Sequence, residues 1–431
     1  MNTLEYLLIF KTMRRFLLDT IFCTFFIFSL VGLFASFTLF NIFNVVDPIG
    51  DMFADFELTD VVMSQLQEPP APSEDIVVVN ISYANRESIG MMIEILGAYN
   101  PAVIGVDVTF NAPKPYSEDS LFIEALKQVK PVVLGSEIRL PNPNIDRFDT
   151  LIVPAPRIAR HADLGFVNLI TDAANQDDVK TNREMVTKAK VKGMSEEQLA
   201  FAVKLAYYKD SVATKKFMER SNTIETINYR GNVMDFGQST FGTAYYVLDY
   251  NDVFNGQFSD DLIEGKVVIL CFLGQYLGDL QTRTDLYFTP LNKRYVGKST
   301  PDMFGGVIHA NAVSMILDED YITPMDGRLS IFIAIVLCLL NVFVFKMVYA
   351  SLPKWYDGIT KLTQLFELLI ITFIMIWLFE SYNYKADLSL ALILIALSGD
   401  SIEVYHGVIK NLFSRKDRAE LLKVKNPFRT T

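Results

Sequence analysis

Four long apolar runs break up this chain, and between the first and the second lies a stretch where apolar residues come only in short blocks. The first run, 16–40, reads FLLDTIFCTFFIFSLVGLFASFTLF with Asp19 its one charged residue, and it exceeds the roughly 20 residues a helix needs to cross a bilayer. The second, 329–349, is as apolar and carries only Lys346 near its end. The runs at 365–380 and 388–407 are shorter or more polar, each set apart by polar residues. In the last, Leu388 to Leu397 would reach only about 15 Å. A spanning helix there must continue through Ser398, Gly399, Asp400 and Glu403 toward His406. This pattern predicts four transmembrane helices, one before a large domain and three after it.

The intervening region, 47–328, shows the shorter periods of a folded domain. Asp47 to Gln67 alternates apolar and acidic residues as a short stalk helix would, and the Pro-rich Glu68 to Ser73 stops it. Strand and helix patterns then alternate: Ile76 to Ile81, Arg86 to Tyr99, Ala102 to Phe110, Asp119 to Val129 and Pro131 to Ile138. Continuous apolar strands between helices predict an α/β domain with a mainly parallel or mixed sheet covered on both faces. Ser195 to Glu219 reads as one long helix with Leu199, Val203, Ala206 and Tyr207 on a face. Thr223 to Tyr229 and Val267 to Leu273 read as further strands, and His309 to Leu317 as a final amphipathic helix.

Charge orients these pieces. Lys11, Arg14 and Arg15 precede the first run, Lys354 and Lys361 lie between the second and third, and the tail 408–431 is rich in Lys and Arg. All fall on one side of a four-span topology, so residues 1–15 and the tail are expected in the cytoplasm and 47–328 outside it. A basic segment also precedes a cleaved signal peptide, but this apolar run is longer than the usual 7–15 residues and no small-residue cleavage site follows. In a bacterial cell the reading is a multi-pass inner-membrane protein with a periplasmic domain. The net charge of −11 is concentrated in 47–328, which disfavours nucleic acid and anionic lipid as partners of that domain. Of the three cysteines, Cys23 and Cys338 lie in apolar runs and Cys271 in a strand, so the exposed region holds no internal disulfide. His161, His309 and His406 lack metal-ligand spacing, and neither a metal nor a cofactor is implied.

Several segments together carry a resemblance. They are DIVVVNIS at 75–82, PAVIGVDVTF at 101–110, SEDSLFIEAL at 117–126, LGFVN at 164–168, YRGN at 229–232, GKVVILCFLG at 265–274 with Gly278 and Asp279, and GVIHANAVSMIL at 306–317. In this order they resemble the second type of CHASE domain, the extracellular sensory module found with bacterial cyclases, histidine kinases and serine/threonine kinases. Three spans following such a domain are the family's usual arrangement, which 329–407 matches. Similar domains carry an acidic Asp-x-Asp-Gly-x-x-Arg stretch after the Gly-x-Val-Asn motif. Here Thr171 to Glu184 reads TDAANQDDVKTNRE, without the glycine. No cyclase, kinase or phosphatase module follows the last span.

Ligands of open α/β sheets bind beyond the carboxyl ends of strands, which would gather Asn80, Ser82, Asp107, Thr109 and Asp279 around one crevice. Asp107, in an apolar strand, must be paired or lie at the strand end, since a buried lone carboxylate costs several kcal/mol. For Asp107 the ordinary alternative is to fasten a neighbouring loop; for Asp279 it is a turn or helix cap. His309 could report pH, though such a histidine more often packs or caps a helix. Asp400, Glu403 and His406, at i, i+3 and i+6, would form one polar face of the last span. Their ordinary reading is an interfacial position with the side chains reaching water. No Gly-x-Ser-x-Gly, Walker loop, HExxH or CxxC is present, so enzyme chemistry is not expected.

The expectation is a sensory, signal-transmitting membrane protein whose partners are membrane lipids, a separate cytoplasmic or membrane output protein, a small ligand or periplasmic protein, and a second copy of itself. The rival is a non-sensory scaffold subunit of a membrane complex. A sensor should have a ligand-sized pocket near Asp107 and Asp279; a scaffold should show a broad apolar outer patch with that crevice filled.

Overall fold

The computed structural model describes residues 3–36, 57–112, 114–142, 147–169, 181–234, 243–279, 281–293 and 300–409. The chain divides into two compact units, one formed by residues 51–322 and the other by 1–50 with 323–431. Helix α1 (Thr3–Ser36) belongs to the second unit and opens the described chain. Of the stalk, Leu58–Val61 and Val62–Leu66 are helical, and 47–56 lies outside the described residues.

In the exposed unit the chain alternates strand and helix as its apolar blocks require. Strand β1 (Ser73–Asn80) leads into α2 (Arg86–Gly97), which starts where the Asn85 side chain accepts from the Ser88 N–H, a typical helix start. Strand β2 (Val103–Thr109), α3 (Tyr116–Gln128) and β3 (Val132–Asn142) follow, then β4 (Arg147–Ile152) and β5 (Asp163–Phe166). The stretch expected as one long helix over 195–219 is two, α4 (Phe201–Lys209) and α5 (Ser211–Glu219). The break falls at Asp210, whose extended backbone ends the first and whose carboxylate caps the second through the Val212 and Ala213 amides. Leu199 is in a short strand before α4, Val203 and Ala206 are buried, and Tyr207 is 47% exposed. After β6 (Tyr245–Leu248), α6 (Tyr250–Asn255) and β7 (Val267–Cys271), α7 (Gly305–Leu317) closes the unit.

The sheet order is β6-β1-β7-β2-β3-β4, with β5 also pairing β3. Every pair is parallel except β3 with β4, so the sheet is mainly parallel with one antiparallel strand. Its strands are apolar throughout because both faces are covered. Val77, Val79, Ile104, Val106, Val132, Leu134, Val268 and Leu270 pack on one face with Ile93, Leu96, Phe122 and Leu126 of α2 and α3. Residues of the other parity meet α4 and α7.

Between α3 and its surroundings lies a buried ionic knot. The fully buried Asp119 accepts from Arg86 at 2.7 Å on one oxygen and from Arg157 at 2.5 and 3.0 Å on the other. Both lone-pair sets are used, the condition under which a buried carboxylate is tolerated.

The second unit holds α1, α8 (Gly327–Ser351), α9 (Tyr356–Tyr382) and α10 (Ser389–Val404), the last continued by a wider turn through Ile409. All four are long and apolar enough to cross a bilayer, so the chain is a multi-pass membrane protein. In the first, the apolar span runs Met13–Leu33 among the described residues; residues 37–40 of the run read from the sequence lie outside them. Cys23, Ile27, Ala334, Cys338, Val342, Phe345, Leu394 and Ile395 form the bundle's apolar core. The two charges that interrupted the first two runs meet there. Lys346 Nζ lies 2.7 Å from Asp19 Oδ2, and Tyr405 donates to the other oxygen at 3.2 Å. One carboxylate thus ties α1, α8 and the end of α10, as intramembrane charges do when they face one another rather than lipid.

Candidate functional site

Three strands, β1, β7 and β2, end side by side, and the sequence-derived site residues lie at or beyond these ends. They divide into two groups with different chemistry.

The first group is a closed polar knot. Asn80, fully buried, donates to Asp249 at 2.8 Å and to the Gly274 carbonyl at 3.3 Å, and accepts from the amides of Ser82 and Leu273 at 3.0 and 2.9 Å. Ser82, in the left-handed region at φ 49°, donates to the Gln275 carbonyl at 2.7 Å. Asp279 accepts from the Thr282 hydroxyl at 2.5 Å and from the Gln281 and Gln275 amides at 2.9 and 3.3 Å. These bonds, led by that hydroxyl, hold its carboxyl below the usual range. Asn80, Ser82 and Asp279 therefore fasten the turn after β7 to the end of β1. Their hydrogen-bonding capacity is largely used within the protein.

The second group is an acid pair. β2 and β3 advance in step to Val106 and Leu134, but the next pair is Thr109 with Gly135. The extra residues make Asp107 part of a bulge, a device that re-aims a side chain at the end of a strand. Asp285 comes from the loop before α7 with φ 60°, a conformation Asp tolerates better than most residues. The two carboxyl groups act on each other. Burial raises Asp107 to about 7; burial first, and the charge of Asp107 second, raise Asp285 to about 8. Neither forms an ion pair among the described residues, and Asp107 has no hydrogen bond there. Tyr287 stands beside Asp285, and its hydroxyl is pushed up by burial and by both acids.

The start of α7 makes this approach possible. A Cβ on Gly306 would fall 2.3 Å from Cys271 Sγ and 3.4 Å from Asp107 Oδ2, and one on Gly305 would fall 2.9 Å from an Asp285 oxygen. Only glycines let the helix sit this close. Cys271 is buried, and its thiol is raised by burial and then by the two acids, so it is not a nucleophile. Thr109, half-buried, ends β2 just past the bulge. Asp285 was missed in the sequence because it lies in a loop with no periodicity, and no local pattern connects it to Asp107.

Most of the remaining motif residues hold the fold together. Asn311 of α7 accepts from the Arg230 and Gly231 amides at 2.8 and 3.0 Å and donates back to the Gly231 carbonyl at 2.9 Å. The YRGN and GVIHAN segments are thus bonded to each other. Asn168 exchanges two hydrogen bonds with the Ile138 backbone at 2.8 and 3.0 Å. His309 is buried against the Phe201 ring and beside the Val167 backbone, and burial lowers it to about 4. It stays neutral near pH 7 and serves packing. In the membrane unit Asp400 bonds Lys361 at 2.7 Å, Glu403 is exposed beside Asp357, and His406 stacks on Tyr349 with centroids 5.5 Å apart. Asp400 and Glu403 thus meet α9, and His406 meets Tyr349 of α8.

A cavity of about 510 Å³ opens at the opposite, amino ends of β2, β3 and β5, lined by Lys130, Arg160, His161, Asp163 and Tyr208 among others. Tyr208 donates to Asp163 and Lys130 to the His161 carbonyl. Exposed apolar side chains of this unit, such as Tyr83, Tyr116, Val212 and Tyr276, come from separate elements.

A mainly parallel α/β domain flanked in the sequence by helices long and apolar enough to cross a membrane defines the class, a membrane-anchored α/β domain. The CHASE2 domain family matches residues 35–344, from the end of α1 through the exposed unit into α8, and the chain belongs to that family. CHASE2 domains are extracellular sensory domains and not catalytic ones. No curated protein and no solved structure matches the chain.

Proposed function

We propose that this chain is an extracytoplasmic sensor that passes its state through the membrane bundle to a separate output protein, with both termini in the cytoplasm and the CHASE2 domain in the periplasm. The observation that carries the reading is the pair Asp107 and Asp285. Two acids are held together at the strand ends without a compensating cation among the described residues, and glycines 305 and 306 keep the approach of α7 open to them. Such a pair is poised to change charge near neutral pH or on meeting a cationic group. The knot of Asn80, Ser82 and Asp279 fixes the adjacent turn, and Thr109 edges the crevice. Through it α7, β2 and β7 respond together. In the bundle the Asp19–Lys346–Tyr405 junction links three helices and can carry a displacement of one to the others.

The basic tail and the loop around Trp355 are the surface offered to the partner. Trp355 is 69% exposed, and the tail after Ile409 lies outside the described residues. The test is cross-linking in native membranes followed by purification of the intact chain and of a truncation ending at Asn411. Loss of the cross-linked partner from the truncation is expected. Undiminished recovery of the same partner with unchanged signalling would assign the tail to orientation or lipid binding alone.

A further inference from the structure

Helix α9 keeps a carboxyl group within the membrane. At 1.5 Å per residue, Glu367 lies about 16 Å along α9 from Tyr356 and Asn341 about 15 Å from the Ser351 end of α8. In a hydrocarbon core about 30 Å thick Asn341 is near the middle and Glu367, three residues into the apolar run 365–380, lies in its inner half. Asn341 is buried and donates to Glu367 Oε2 at 2.8 Å. That is the one hydrogen bond of the Glu367 side chain among the described residues. Glu367 is itself only half-buried. Its neighbours one turn away and two turns away, Ile370 and Ile374, are 56% and 40% exposed, and Val344 of α8 is 45% exposed. Lipid suits those apolar side chains but offers nothing to the second carboxyl oxygen, and a polar group left bare at this depth is costly.

We propose that a second copy of this chain covers this face, with Glu367 of each protomer meeting the same residue of the other. Three observations select a second copy over an unrelated helix. Copies inserted with the same topology carry Glu367 at the same depth without any further adjustment. A carboxyl group bearing its proton is both donor and acceptor, so two of them satisfy each other across a two-fold contact. And α9 is the least buried of the four spans within the chain, leaving its surface available for such a contact. The inference concerns assembly in the membrane and does not depend on what the exposed domain senses.

The test uses the full-length protein in lipid nanodiscs and in native membranes, where Cys23, Cys271 and Cys338 are buried. Cysteine is placed at Ile370, beside Glu367, and separately at Leu369, an exposed position pointing away from it. Oxidative cross-linking is expected to give dimer from Ile370→Cys and little from Leu369→Cys. Adding Glu367→Leu should lower the Ile370→Cys dimer several-fold, whereas Glu367→Gln should keep most of it, because an amide also donates and accepts. The proposal is overturned if Ile370→Cys cross-links no better than Leu369→Cys. It is equally overturned if Glu367→Leu has no effect, or if Glu367→Gln loses the dimer as fully as Glu367→Leu does.

Discussion

Replacing Asp107 by Asn should make the exposed unit more stable at alkaline pH and leave it nearly unchanged at pH 3.5. Burial lifts Asp107 from its ordinary 3.8 to about 7, and its partner Asp285 to about 8. Below about pH 4 the acids are protonated in the folded and the unfolded chain alike. Above that the unfolded chain releases protons that the folded pair still holds, so stability falls as pH rises until the folded pair has ionised. Each unit of displacement is worth about 1.4 kcal/mol. The pair shares its protons, so the Asp107 contribution that Asn removes at pH 8.5 is on the order of 2–4 kcal/mol. For a unit of this size each kcal/mol moves the midpoint by roughly 2–4 °C. Calorimetry of the full-length protein in detergent should therefore show Asp107→Asn unfolding about 5–10 °C above the parent chain at pH 8.5. At pH 3.5, where Asp107 is protonated in both states and neutral Asp and Asn are near-isosteres, the two should agree within about 2 °C, and by pH 5 the variant should already lead because the unfolded chain has ionised. Parallel curves for the two proteins between pH 3.5 and 8.5, or a lower midpoint for the variant at pH 8.5, would refute the reasoning from this half-buried pair.

Two further outcomes follow from features described above. Asp119→Ala leaves Arg86 and Arg157 buried or half-buried without their carboxylate, and should cost about 3–5 kcal/mol, read as a large loss in the midpoint of the exposed unit's endotherm; a loss below about 1 kcal/mol would show the knot to be dispensable. Single cysteines at Ser195 and at Thr430 should differ in intact cells, the first open to an impermeant thiol reagent and the second closed to it, and equal accessibility of both would contradict the four-span orientation.

Much of this architecture is legible in the sequence because it rests on the longest periodicities. The apolar runs around Asp19 and Lys346 give the spans, and VVVN and VIGV give buried parallel strands, since a strand covered on both faces has no polar alternation. Asp400 and His406 were legible as polar positions but not as neighbours of Lys361 and Tyr349, because helix phase alone does not say which helix each side meets. The break at Asp210 was hidden for a similar reason. Val203 and Ala206 continue the apolar stripe toward Ala213 and Phe217, and one acid in that run reads as a surface residue until its cap geometry is seen. Strands β4, β5 and β6 are short, and their pairing is supplied by β3 and β1. The candidate site was half legible. Asp107 stands out as the acid within VIGVDVTF, but its bulge depends on pairing with β3, and Asp285 reaches it only through the close approach that Gly305 and Gly306 permit. Asn80 and Asp279 suggest crevice residues in the sequence because they stand at and beyond the ends of apolar strands, and a strand end looks the same in sequence whether its polar groups face a ligand or one another.

Whether the exposed domain speaks to the membrane bundle is decided most directly by hydrogen exchange of the full-length protein in nanodiscs. The parent chain is compared with the Asp107→Asn, Asp285→Asn double variant at one fixed pH near 8, so that intrinsic exchange is the same for both. Such coupling predicts altered exchange around Asp285 and the start of α7, and a change of several-fold in the bundle as well, at the end of α8 near Lys346 and in Ser398 to Ile409. A difference confined to the exposed domain, with the bundle exchanging identically in both proteins, would contradict it.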